Sequence, residues 1–194
     1  MTSLQTIRTQ YESDVDALPA IHANGGGGAA RNASGLVYEN LIKRTCDLLG
    51  FDARKNDYKS TEEIDGISMS NLQVDWHVYK DGALRLFVES KTYLDSCYLM
   101  RAVIDLIELD ASPDTPDDCQ FAIFAGQDAC KAESATYFSA FFKKHTGKDL
   151  TIFFANPQQR RRSSRPIFSE ACRQDFTLST EVHDQFINWL ETAA

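Results

Sequence analysis

The sequence predicts a mixed α/β fold, a central mixed β-sheet with helices on both sides. Three observations carry this. Residues 72–91 hold two alternating runs around a glycine-containing turn, the signature of a β-hairpin. Cys119–Ala125 and Leu150–Ala155 are short and almost wholly apolar, as strands buried on both faces are. A helical pattern joins those two runs, and a strand–helix–strand unit favours adjacent parallel strands with a right-handed crossover.

In chain order, Leu4, Ile7, Tyr11, Val15 and Leu18 predict a first helix over residues 3–19, ended by Pro19. Residues 20–34 contain Gly25 to Gly28 and predict a loop. This loop is either a flexible linker or a segment that orders around a ligand, with Arg31 as a phosphate contact. It is no P-loop, because it lacks the Lys-Ser/Thr pair and no strand precedes it. Ser34 is expected to cap a helix reaching Leu49, with Gly50 as its stop. Its apolar stripe is Leu36, Val37, Leu41, Ile42, Thr45, Leu48 and Leu49, with Tyr38 and Glu39 beside it. Residues 51–71 are polar and irregular, with extended pieces.

After the hairpin, Asp95 or Ser96 starts a helix to Leu109 that buries Leu99, Ala102, Val103, Leu106 and Ile107. Pro113 and Pro116 mark a loop, the next helix covers residues 129–145, and Gly147 closes it. Asn156-Pro157 opens a loop with Arg160, Arg161, Arg162 and Arg165. The last helix, 180–192, turns Val182, Phe186, Ile187 and Leu190 inward. The chain reads as one domain: residues 1–33 an N-terminal helix and Gly-rich loop, 34–156 the core, 157–194 the Arg-rich loop and C-terminal helix.

Composition narrows the functional classes. The net charge of −8 argues against a general affinity for nucleic acid, yet the charge is segregated. Acidic residues gather between Asp105 and Asp118, and the arginines at 160–165 form a basic knot able to line a positive cleft. No apolar run approaches a membrane span, and the N-terminus lacks the pattern of a secretion signal. Five scattered cysteines without a CxxC pair suggest neither zinc nor disulfides, so a cytoplasmic location is expected.

The hairpin concentrates the chemistry. Leu72, Val74, Trp76 and Val78 share one face of the first run, and Gln73, Asp75, His77 and Tyr79 the other. On the second run Leu84, Leu86 and Val88 oppose Arg85, Phe87, Glu89 and Lys91. A two-residue Asp81-Gly82 loop would pair Val78 with Arg85 and mix the faces. A three-residue loop, Lys80 to Gly82, pairs Val78 with Leu84, Trp76 with Leu86 and Val74 with Val88. In that register Asp75 and Glu89 are diagonal neighbours, roughly 7–8 Å apart. Two carboxylates so placed can share a hard divalent cation, and Lys91 reaches the same space. The competing reading is a solvated hairpin face.

Val74-Asp75, a hairpin-length gap and Val88-Glu89-Ser90-Lys91 resemble the PD-(D/E)xK nuclease superfamily, the fold of most type II restriction endonucleases. The order of helix, hairpin, helix and buried strand over residues 34–156 resembles the family order as well. Val74 departs from its pattern, which has proline there. Asp57-x-Lys59 also fits the short motif but has no alternating strand around it.

The resemblance implies a restriction-endonuclease-like fold and Mg2+-dependent hydrolysis of phosphodiester bonds in double-stranded DNA. It makes Asp75 and Glu89 metal ligands, with the Ser90 carbonyl as a third. Lys91 would stabilise the phosphate or orient the nucleophilic water. Glu39 matches the acidic residue that many members aim at the site, and Gln73 would position substrate or water. Tyr93 and Asp95 follow Lys91 and are candidates near the substrate, His77 could line the cleft, and Arg31 and the arginine knot are candidate DNA contacts. A small chain cutting a short symmetric site suits a homodimer. The alternatives are a repair, recombination or modification-dependent nuclease of the same fold, or a catalytically silent DNA-binding or interaction protein.

Overall fold

The computed structural model describes residues 3–55, 63–64, 67–68, 74–130, 133–157 and 176–194. The elements are α1 (Leu4–Leu48), β1 (Asp52–Lys55), β2 (Glu63–Ile64), β3 (Ile67–Ser68), β4 (Trp76–Lys80), β5 (Ala83–Leu94), α2 (Ser96–Ala111), β6 (Gln120–Asp128), α3 (Ser134–Thr146), β7 (Leu150–Asn156) and α4 (Thr180–Ala193). Five strands form one sheet in the order β1-β4-β5-β6-β7, and β2 pairs with β3 apart from it. β4 pairs antiparallel with β1 on one side and β5 on the other, whereas β5, β6 and β7 run parallel. The mixed sheet is therefore the one the sequence predicts.

Period-2 alternation splits the core into two layers. Trp76, Val78, Leu86, Val88, Ala122, Phe124 and Phe153 face α1 and α4. Phe87, Phe121, Ile123 and Ala125 face α2 and α3. Burial on both sides is why β6 and β7 read as continuous apolar runs. The capping signals also hold: Asp95 Oδ1 accepts from the backbone N–H groups of Cys97 and Tyr98, at 2.9 and 2.8 Å.

The N-terminal third departs from expectation. α1 runs through Pro19 and through residues 20–34, which the sequence assigns to a loop. Its helical geometry breaks only at Gly26, with φ 71° and ψ −173°. The glycine run thus marks a break, but one residue wide. Packing accounts for this: Ile7, Tyr11, Val15 and Leu18 before the break and Val37, Tyr38, Leu41 and Ile42 after it are buried in one core layer. Such burial outweighs a cost of roughly 1 kcal/mol for each helical glycine. The helix after the break also turns differently than predicted, with Leu36 exposed and Tyr38 wholly buried.

α1 and α4 are joined by a buried polar contact as well as by apolar surface. Arg8 Nε donates to His183 Nδ1 at 3.2 Å, so the ring proton sits on Nε2, 2.9 Å from Thr45 Oγ1. Burial, reinforced by the Arg8 charge, lowers the His183 pKa to about 4, which keeps the ring neutral. Among the described residues no helix is long and apolar enough to cross a membrane.

Gly126 lets α1 approach β6. A Cβ there would collide with the Thr92 carbonyl oxygen and with the Tyr38 ring. Neither can retreat, one being backbone and the other wholly buried. Gly126→Ala is expected to destabilise the fold by about 1–3 kcal/mol, read as a lower urea midpoint at unchanged slope.

Candidate active site at the hairpin

The turn between β4 and β5 has two residues, not three. Asp81 and Gly82 both have positive φ, 51° and 81°, the mark of a type I′ turn, whose twist matches that of the strands. Lys80 pairs with Ala83 and Tyr79 with Leu84, and then the register slips so that Val78 pairs with Leu86. Arg85 is the extra residue of a β-bulge. The bulge repairs the face-mixing that a two-residue turn would otherwise cause, so the predicted three-residue loop is unnecessary.

This correction moves the carboxylates together. The last bridged pair is Trp76 with Val88, not Val74 with Val88. Asp75 therefore lies directly across from Glu89 rather than diagonal to it. Val74, just outside the strand, joins the core layer of α2 and α3 instead of the Trp76 face.

Each carboxylate grips the opposite strand. The Asp75 N–H donates to Glu89 Oε2 at 3.2 Å, and the Ser90 N–H donates to Asp75 Oδ2 at 2.9 Å. Lys91 Nζ donates to Glu89 Oε1. The Glu89 side chain is only 9% exposed and that of Lys91 27%. Burial, then repulsion from Asp75, pushes the Glu89 pKa up to about 7. Burial also raises Asp75, against the pull of Lys91 and the Ser90 N–H. For Lys91, burial favours the neutral form, but the Glu89 and Asp75 carboxylates outweigh it and raise the pKa. The ammonium is thus charged at neutral pH.

Glu39 comes from α1 and reaches the same electrostatic neighbourhood, where its charge raises Asp75. Its Oε2 accepts from Lys55 Nζ of β1 at 2.5 Å. Lys55 lowers Asp75 in turn, which makes it a member of the cluster that the sequence reading missed. Asp105 of α2 is a second omission: burial raises its own pKa, and its charge raises Lys91. Lys55 lies in a stretch without clear pattern. Asp105 had a signal, since it sits next to Leu106 at the margin of the buried stripe of α2.

The remaining candidates separate. Tyr93 shares the parity of Glu89 and Lys91 and packs edge-on against Tyr98 of α2, with centroids 5.5 Å apart. Asp95 is spent as the cap of α2 rather than facing a substrate. His77 is wholly buried, edge-on to Phe87, so it is part of the core and not a cleft wall. Ser90 is buried, its Oγ without a hydrogen-bond partner among the described residues. Gln73, Arg160, Arg161, Arg162, Arg165 and the Asp57-x-Lys59 match lie outside the described residues, as does the Arg31 side chain.

Among the described residues no three His, Cys, Asp or Glu side chains are gathered closely enough to hold a metal ion. The site offers a carboxylate pair, Asp75 and Glu89, held by the backbone N–H groups of Ser90 and Asp75. That donor set fits Mg2+, which takes one or two carboxylates and completes its shell with water. The raised Glu89 pKa is a separate sign of fit, because a buried carboxylate pair lacking enough positive charge gains from a cation.

No family model matches the chain. No curated protein matches it. A search of solved structures finds P. aeruginosa NucC in its cAAA-bound form, with a TM-score of 0.48 and 12% identity over 97% of this chain and 99% of that one. At these values the likeness carries no inference about activity.

Proposed function

We propose that the chain is a Mg2+-dependent endonuclease that hydrolyses phosphodiester bonds of double-stranded DNA at a specific short sequence, as type II restriction endonucleases do. The observation that carries the reading is the interlocked Asp75–Glu89 pair with Lys91 on Glu89. It sits on an antiparallel strand pair followed by a helix and a buried parallel strand.

In this reading Asp75 and Glu89 hold the metal, with the Ser90 carbonyl as a further oxygen. The bound ion supplies Lewis acidity toward the phosphate and acidifies a water. Lys91 Nζ, charged and held in place by Glu89, stabilises the negative charge that builds on the phosphate or orients the attacking water. Glu39 takes part through the charge it projects at Asp75, and Lys55 fixes its side chain. Arg31, Gln73, Tyr93 and the four arginines at 160–165 are proposed DNA contacts, and the active form is a homodimer. A reducing, cytoplasmic setting agrees with free thiols at Cys46, Cys97, Cys119 and Cys130.

Incubation with phage DNA, with and without Mg2+, tests the reading. Discrete fragments that require Mg2+ are the expected result. Smearing or a preference for branched DNA would transfer the site to a repair or recombination nuclease. Binding without cleavage would make the chain a silent DNA-binding protein, which the net charge of −8 suits no worse.

A further inference from the structure

Six large apolar side chains are exposed among the described residues; Ile21 and Leu36 are on α1, and the other four lie on two neighbouring helices. Tyr98, Met100 and Ile104 of α2 are 43%, 43% and 45% exposed, and Tyr137 of α3 is 63% exposed. The helices lie side by side and parallel. Ser96 and Ser134 hydroxyls meet at 3.0 Å at one end, and Lys148 Nζ donates to Asp110 at 2.6 Å at the other. Both pairs are 38 residues apart in sequence, so a residue of α2 is level with the residue 38 later in or beside α3.

The outermost line of α3 is Glu133, Tyr137, Ala140 and Lys144, all exposed, opposite the buried Phe142. Glu133 belongs to this line because its carbonyl already accepts the Tyr137 N–H at 2.9 Å. The 4-3-4 spacing is that of a helix-pairing seam. The seam is also self-complementary. Placed antiparallel on a copy of itself, Glu133 faces Lys144 and Tyr137 faces Ala140, acid to base and large to small. The two-fold axis then passes midway between residues 138 and 139. Carried across the 38-residue offset, the same axis crosses α2 between Met100 and Arg101. It sets Ile104 against Cys97, another exposed pair.

We propose that the outer faces of α2 and α3 form an isologous interface with a second copy of this chain. One axis pairs all four positions of the α3 seam and Ile104 with Cys97 on α2, while Tyr98 stays against Tyr93; a symmetric closed contact is what a self-complementary patch makes. A different protein would have no reason to match the order acid, large, small, base in reverse. Asp75, Glu89 and Lys91 sit on the sheet, so the contact leaves them in place. The inference supplies the interface for the two-fold enzyme proposed above and takes from that reading only the expectation of a dimer.

Sedimentation equilibrium of the full chain, without DNA or Mg2+, tests it separately from cleavage. Wild type is expected to sediment as a concentration-dependent dimer and Tyr137→Glu as a monomer with an unchanged far-UV circular dichroism spectrum and a melt that no longer depends on concentration. Glu133→Lys alone and Lys144→Glu alone should each weaken the dimer about tenfold, because each breaks two symmetry-related pairs. The double swap should restore it. A monomeric wild type, a Tyr137→Glu variant that dimerises normally, or a double swap no tighter than the singles would overturn the interface. None of these results bears on whether the chain cuts DNA.

Discussion

Asp75→Asn is expected to lower DNA cleavage by about 100- to 1000-fold or more while leaving the protein folded. Asparagine keeps an oxygen to accept the Ser90 N–H, now 2.9 Å from Asp75 Oδ2, so the strand contact survives. What disappears is the charge. The site then has one carboxylate, Glu89, to hold a divalent cation. Lys91→Ala is expected to cost as much by another route: the carboxylate pair remains, but the ammonium beside it is gone. Lys91 also holds Glu89 down, so its loss pushes the Glu89 pKa further up. Single-turnover rates on a cleaved duplex, beside thermal melts of each variant, check both. Cleavage at the wild-type rate in either variant would sink the assignment of this site.

The second large effect is on pH. Cleavage in Mg2+ should rise about tenfold per pH unit below about 7 and level off above it, because Glu89 titrates near 7 and must lose its proton to hold a cation. The sign for stability runs the other way in the metal-free protein. The folded pKa of Glu89 lies above its ordinary 4.5. Its contribution to stability is therefore present below that value and lost as pH rises through about 7. Mg2+ offsets the loss, so its thermal stabilisation should be larger at pH 8 than at pH 6. Melting curves with and without Mg2+ at the two pH values check this. Equal stabilisation at both would mean that Glu89 does not hold the ion.

Much of the fold is legible in local pattern. Cys119–Ala125 and Leu150–Ala155 announce strands covered on both sides, and Val182, Phe186, Ile187 and Leu190 announce the inner face of α4. Wherever the period of the chain coincides with one buried face, the residues themselves carry the answer. The candidate site was legible in the same sense. Glu89 and Lys91 are two apart on one strand, and period 2 puts them on one side whatever the rest of the chain does.

Other features depend on contacts between distant parts of the chain. The bulge at Arg85 moves Asp75 from diagonal to opposite, because a one-residue slip in pairing changes every face beyond it. The pairing of β1 with β4 brings Lys55 to Glu39, and the packing of α2 brings Asp105 toward Lys91. Burial of Val15 and Leu18 on one side and Val37 and Tyr38 on the other carries α1 past Pro19 and the glycines. By itself the sequence determined which residues could do chemistry and which strand carries them. Only the tertiary structure decided how close the carboxylates lie and which charges surround them. Register and helix docking are set by burial summed over many residues, which no local window contains.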